Sequence, residues 1–381
     1  MGLYGVSSRP SGWDWFVAVT TVATLLGSLF PAVDGLQPHV LATPFAALAI
    51  MATLIGPNGR GRRALLLLVP LFAILILAAA WGIEPQLEYG EVKFQRLWTS
   101  TLLSALLGCC ILSKARMHAL ATCWVLAGLI LATFTMLVGS SFSAGRTTAF
   151  GSNPIWLGRA LASAIIFSVA MPRMGFNRRW LLAAPVLFVG LFMTGSRAPL
   201  IALAIGVLVL FLTSARRLIP ALVLAAGAYA AVLTVPVLAN SRLGELIRDD
   251  QDQADSSETR LEMWRKTYRL WEENAGGVGI GNWSRHVDIG AFEYPHNIFL
   301  EVGAELGTVA IIALVGSVAM SALLISRHST VVIERRVMLA LLLTETVAVS
   351  TSGDLSARTF FFLIFAALAM SSFDHRSRND V

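Results

Sequence analysis

The chain alternates long apolar stretches with short polar breaks. A helix crossing a bilayer needs roughly 17–25 mostly apolar residues. That template is met near residues 13–30, 39–55, 64–82, 97–113, 117–138, 154–171, 179–194, 198–213, 217–238, 297–325, 337–350 and 359–373. The pattern predicts an all-α, polytopic membrane protein with about twelve transmembrane helices. The first stretch follows a short polar segment and lacks a small-residue cleavage site before a soluble region, so it reads as a retained helix. Neither an internal repeat nor a low-complexity tract is evident. Residues 240–296 alone break the rhythm, with 57 mostly polar positions. The chain thus divides into 1–239 with helices one to nine, 240–296 as an extramembrane loop with an amphipathic helix, and 297–381 with helices ten to twelve and a tail.

Composition sharpens this picture. Of the 381 residues, 56% are hydrophobic and 14% are charged. Soluble domains run near ~45–50% and ~25%. An ordinary soluble enzyme, a disordered chain and a cysteine-stapled domain are all excluded. The three cysteines, Cys109, Cys110 and Cys123, fall in predicted spans four and five. A vicinal pair on a helix makes a poor disulfide, and no metal-ligand spacing is present, so they read as small packing residues.

The net charge of +6 suggests a nucleic-acid partner only until the charges are placed. With the N-terminus in the cytoplasm, inner segments hold 16 basic residues, among them Arg60, Arg62, Arg63, Lys114, Arg116, Arg335 and Arg336. The short outer segments hold five: Lys93, Arg96, Arg146, Arg197 and Arg358. This is the positive-inside pattern, with both termini cytoplasmic. The basicity is a topology signal, and no nucleic acid is expected. The long loop then lies outside, with seven basic and eleven acidic residues.

Candidate chemistry gathers on that outer face. Thr194-Gly195-Ser196-Arg197-Ala198-Pro199 joins spans seven and eight, and Gly195 and Pro199 suit a reversal and helix restart. A guanidinium here meets lipid phosphates or a phosphorylated substrate. In the loop, Asp255 and Glu258 resemble a capping box. Leu261, Trp264, Tyr268 and Trp271 recur at helical spacing as one stripe, with Arg260 and Arg265 at its edges. Such a helix either rests on the bilayer or forms a lid holding Arg260 over a lipid-linked substrate. The glycine run 276–281 lacks a preceding strand and a following Lys-Ser/Thr, so it reads as a flexible turn rather than a nucleotide loop.

Tyr294-Pro295-His296-Asn297 opens span ten, with His296 on its first turn. A neutral histidine accepts a proton from a hydroxyl near pH 7. Glu301 and Glu305 continue the Asn297 face, and Gly303 with Gly307 forms a GxxxG pair favouring close helix approach. Arg159 and Glu345 lie inside spans, where ionisable groups usually face the bundle interior. Arg146 and the turn 151–154 belong to the same outer face. No aspartate-rich cluster suggests a magnesium site.

From Thr194 to Gly307 the chain resembles the O-antigen ligase and polymerase superfamily of bacterial membrane glycosyltransferases. The resemblance rests on Gly195-Ser196-Arg197 opening an apolar span, Arg260-x-x-x-Trp264 in the outer loop, Gly279-x-Gly281, and His296-Asn297 followed by Glu305-x-Gly307. It implies a GT-C-like helical fold in the bacterial inner membrane and a periplasmic active site. The implied donor is a glycan on undecaprenyl diphosphate. The acceptor is lipid A–core oligosaccharide for a ligase, or a growing glycan for a polymerase. It also implies Arg197, Arg260 and His296 as catalytic residues. Ser196, Trp264, Arg265, Asn297, Glu301, Glu305, Arg146 and Arg159 are the candidate substrate-binding residues, with membrane lipids around the site. No metal and no cofactor are expected. Glu301 or Glu305 either orients His296 or replaces it as base. A secondary transporter using Arg159, Glu301, Glu305 and Glu345 is the competing class, and a non-catalytic export partner ranks below it.

Overall fold

The computed structural model describes residues 9–33, 35–55, 66, 87–143, 146–211, 251–290, 292–327 and 332–371. The expected third and ninth spans, 64–82 and 217–238, lie outside the described residues. So do Arg60, Arg62 and Arg63, and the loop start at 240–250. Helix occupies the other ten intervals, continuous or broken.

Helix α1 is Gly12–Leu26. Ser11 caps it, accepting from the Asp14 N–H while the Asp14 carboxylate accepts from the Ser11 N–H, so two orphan donors are satisfied. Helix α2 is Thr43–Ile55. Helix α3, Glu88–Arg96, runs through a π-helical turn, Leu97–Thr101, into α4, Leu102–Gly108. Helix α5 is Lys114–Val138. Strands β1, Ser140–Ser143, and β2, Arg146–Thr148, make a small antiparallel hairpin. Helix α6, Pro154–Ala170, starts on the Asn153 cap with proline in its first turn. Then come α7, Ala183–Met193, and α8, Arg197–Phe211. The remaining helices are α9, Gln251–Glu273; α10, Ile298–Leu306; α11, Thr308–Ser326; α12, Ile333–Ser352; and α13, Arg358–Ser371.

Among the described residues, four helical stretches are long and apolar enough to cross a membrane by length and composition: Pro38–Ile55, Lys114–Val138, Pro154–Met174 and Thr308–Ser326. Large apolar side chains such as Phe45, Ile130, Leu137, Ile312 and Leu323 point outward, as suits helices bathed in hydrocarbon. The protein is an all-α membrane protein.

Small residues let the helices touch. α8 packs on α12, α4 on α13, and α5 on α6 and α7. A Cβ at Gly206 would stand 2.1 Å from the Thr344 Oγ1, and one at Gly108 would stand 2.4 Å from the Phe362 carbonyl oxygen. Without a hydrophobic drive between helices in lipid, such close packing supplies much of the attraction.

Contacts sort the charges to two ends. At one end Arg116 pairs with Asp14, and Glu334 meets Lys114 and His118. Arg335 donates there to the Met370 carbonyl. Arg335 and Arg336, expected as loop charges, instead lie buried in α12. At the other end Arg358 donates to the Thr24 carbonyl and the Ser28 hydroxyl.

Four further expectations change. The interval 297–325 is not one helix, because Gly307, at φ +87°, breaks it into α10 and α11. Among the described residues, the GxxxG pair meets no second transmembrane helix. Gly303 faces the Trp271 ring, and Gly307 faces the backbone of 275–276. Asp255 and Glu258 fall within α9 rather than at its start. The glycine run is a turn, but a packed one: Val278, Ile280 and Asn282 are buried, and a Cβ at Gly281 would fall 2.1 Å from the Gly90 Cα.

Gly108→Val should lower the stability of the detergent-solubilised protein by about 1–3 kcal/mol, the usual cost of overpacking. Gly316→Ala, with nothing within 4 Å, should leave the thermal midpoint unchanged. Equal midpoints for the two variants would contradict this packing.

Candidate active site

The turn before α8 is built from its own polar groups. The buried Thr194 hydroxyl donates to the Leu191 carbonyl and accepts from the Ser196 N–H. Gly195 takes φ +60°, a left-handed conformation that glycine tolerates. Pro199 packs where a Cβ on Gly158 would touch it. The helix therefore starts at Arg197, half-buried and beside the first turns of α6. Ser196 is buried, its hydroxyl turned to the Thr194 carbonyl.

α9 does not bury the expected stripe as one face. Met263, Thr267 and Leu270 face inward against Trp283, Val278, Val287 and Ala304. Leu261 and Tyr268 are 46% and 48% exposed. The helix chooses the Met263 face because a second small core forms there with the glycine turn. Trp264 stands at the edge of that face, and its indole N–H donates to the Pro295 carbonyl at 3.0 Å. This bond ties α9 to the segment carrying His296. Arg260, one turn earlier, lies half-buried beside His296, whereas Arg265 is exposed on the opposite side.

His296 is not on the first turn of α10. It precedes the cap and adopts φ +54°, an uncommon conformation in which histidine is among the enriched residues. Its ring packs on Tyr294, with centroids 4.3 Å apart, and meets Phe292 edge-on. Among the described residues, its buried Nδ1 has no hydrogen-bond partner. Burial first, and the nearby Arg260 guanidinium second, push its pKa down to about 4. The imidazole is therefore neutral at pH 7, the form that accepts a proton.

Asn297, expected to touch substrate, is the N-cap of α10. Its side-chain oxygen accepts from the Phe299 and Leu300 N–H groups. Glu301 and Glu305 are fully buried and turn to Lys93. Arg159 pairs with Glu345 across α6 and α12. It also lines a small cavity with Trp156, Asp354, Arg358 and Thr359. Arg146 is half-buried in β2.

Arg260, Trp264 and His296 are thus brought together directly, while Arg197 opens α8 and Arg159 lies in the second turn of the neighbouring α6. Arg265 stands apart. Lys93, Tyr89, Tyr294 and Asp354 escaped the sequence reading. The signal for Lys93 was present, since two glutamates four residues apart in an apolar stretch require a counter-charge. Asn297→Ala should cost about 1 kcal/mol of stability through the lost cap, and Asn297→Ser should restore it. A loss of transfer with unchanged stability in both variants would assign Asn297 to substrate instead.

Comparison with known proteins bears on the same elements. Residues 182–315 match the family described as O-antigen ligase. No curated protein matches the chain. The matched segment holds Arg197, Arg260 and His296, while Lys93, Arg146 and Arg159 precede it. The match over residues 182–315 supports, for that segment, a place in the O-antigen ligase and polymerase superfamily.

Proposed function

We propose that the protein is an O-antigen ligase-type glycosyltransferase. It moves a glycan from undecaprenyl diphosphate to a hydroxyl of the lipid A–core oligosaccharide at the periplasmic face of the inner membrane. Twelve spans with both termini inside would put the α9 loop and the start of α8 outside. The observation that carries the reading is the neutral, half-buried His296 held beside Arg260, at the end of the bundle where Arg197 opens α8.

In this mechanism Arg197 and Arg260 grip the diphosphate by charge-assisted hydrogen bonds. The acceptor oxygen attacks the anomeric carbon as His296 takes its proton. The bond from that carbon to the diphosphate oxygen breaks, and the leaving group departs with the electron pair. In-line attack inverts the anomeric centre. The two arginines stabilise the charge that develops on the leaving group, a role in which losing one donor costs roughly 10²–10³ in rate. Proton transfer contributes about 10²–10⁴. Arg159 and Arg146 flank the site, and Trp264 fixes the height of Arg260 through its bond to Pro295. The second reading, a repeat-unit polymerase, uses the same step with a growing glycan as acceptor. The fifteen-residue interval from Arg260 to Gly276 fits an arginine–glycine spacing seen in polymerases.

Purified protein should transfer glycan in EDTA, and Arg197→Ala, Arg260→Ala and His296→Asn should each lose about 10²-fold or more. Wild-type-like rates in all three variants would end the assignment. Loss in EDTA alone would remove only its metal-free part. In a deletion strain, full-length glycan left on the carrier lipid marks a ligase, and single repeats on the core mark a polymerase.

The pH dependence follows from His296. Its folded pKa lies below the ordinary 6.5, so the unfolded chain takes up the proton first as pH falls. The stability supported by neutral His296 is complete above about 6.5 and is lost progressively toward pH 4. Transfer at limiting substrate reports the free enzyme, so its acid limb should sit near 4. An acid limb near 6.5 would mean that His296 is not the base or is not buried.

A further inference from the structure

Three buried ionisable groups meet where α3 crosses α10. Lys93, Glu301 and Glu305 are each 1% exposed or less. The Lys93 ammonium touches one oxygen of each carboxylate. Glu305 also accepts from the Gly281 N–H at 2.9 Å, so its Oε2 has two donors. Among the described residues, Glu301 Oε2 has no hydrogen-bond partner, and Oε1 meets the Lys93 ammonium.

Charge counting singles out Glu301. Among the described residues, Glu345 has Arg159 and Asp354 feels Arg358. Glu305 has Lys93 and the Gly281 N–H, so Glu301 is the surplus carboxyl. It faces Lys93 and Tyr89 from α3, and Glu305 from its own helix. It also faces Asp354 from the α12–α13 connection and Tyr294 from the segment before α10. A surplus carboxylate among other carboxylates, away from water, is neutralised by a proton rather than kept charged.

The cluster also reaches His296. Tyr89, one turn before Lys93, stacks on Tyr294 at 6.4 Å and 12°, and Tyr294 packs on His296. Lys93 holds the next turns of α10, whose cap follows His296 directly. α3 therefore grips the chain on both sides of the histidine.

We propose that Lys93, Glu305 and a protonated Glu301 form a net-neutral positioning cluster that locks α10 and the glycine turn onto α3 and so sets the placement of His296. The activity readout rests on the transferase reading, whereas the proton assignment does not. The test is infrared difference spectroscopy on the purified full chain, with transfer assays alongside. Wild type minus Glu301→Gln should show a protonated-carboxyl carbonyl stretch that shifts in deuterium oxide. Because glutamine mimics the protonated acid, Glu301→Gln should keep the thermal midpoint close to that of wild type, whereas Lys93→Met should lower it. Lys93→Met removes the cation that both carboxylates touch, so its carboxyl band should grow as Glu305 also protonates. Its turnover should fall about 10–10²-fold, as for a misplaced reacting group, with little change in donor KM. No carboxyl band lost in Glu301→Gln, or a thermal midpoint of Glu301→Gln as low as that of Lys93→Met, would overturn the proposal. If wild-type protein transfers no glycan, the transferase reading falls, and the infrared result still decides the cluster.

Discussion

A charge inside a lipid-bathed bundle persists only if another group meets it, and much of this structure follows from that constraint. Arg159 binds Glu345 across α6 and α12, and Lys93 binds Glu301 and Glu305 across α3 and α10. Glu334 gathers Lys114 and His118 at the far end. Breaking one such pair leaves an uncompensated buried charge, which typically costs about 3–5 kcal/mol. The pairs fix which helices are neighbours. The glycine and alanine contacts between the same helices then fix how closely they lie.

The helices were legible in the amino-acid sequence because hydropathy reports them directly. Arg197 and His296 stood out as candidates because each borders an apolar run, and Arg260 because it lies one turn before Trp264 on an aromatic-striped helix. What escaped was set by tertiary choice. α9 carries enough apolar residues for two faces, and the Met263 face won because Trp283 and the glycine turn complete a core there. Lys93 looked like one more loop charge until α10 was laid across it. Asn297 has the chemistry of a sugar ligand, but a helix N-terminus claims its side-chain oxygen first. The packed state of the 276–281 turn was hidden because glycine runs are written alike whether they bend in solvent or admit a neighbouring backbone.

The site combines two kinds of order. Arg260 is placed by a helix whose inner face is buried and whose indole at 264 is pinned to Pro295. His296 is placed by a backbone conformation outside the helix and by aromatic walls. The one arrangement fixes the helix from which a long side chain extends. The other holds a ring still.

The break at Gly307 also settles a question of length. An unbroken helix over the interval 297–325 would run about 44 Å at ~1.5 Å per residue, well beyond a hydrocarbon core of about 30 Å. Ending α10 after nine residues leaves the nineteen residues of α11 to match the bilayer thickness at about 28 Å. The nine-residue piece is then released from spanning and is mostly buried in protein, where its two glutamates meet a lysine instead of lipid. One glycine thus divides a single hydropathy peak into a part matched to the membrane and a part that serves the site.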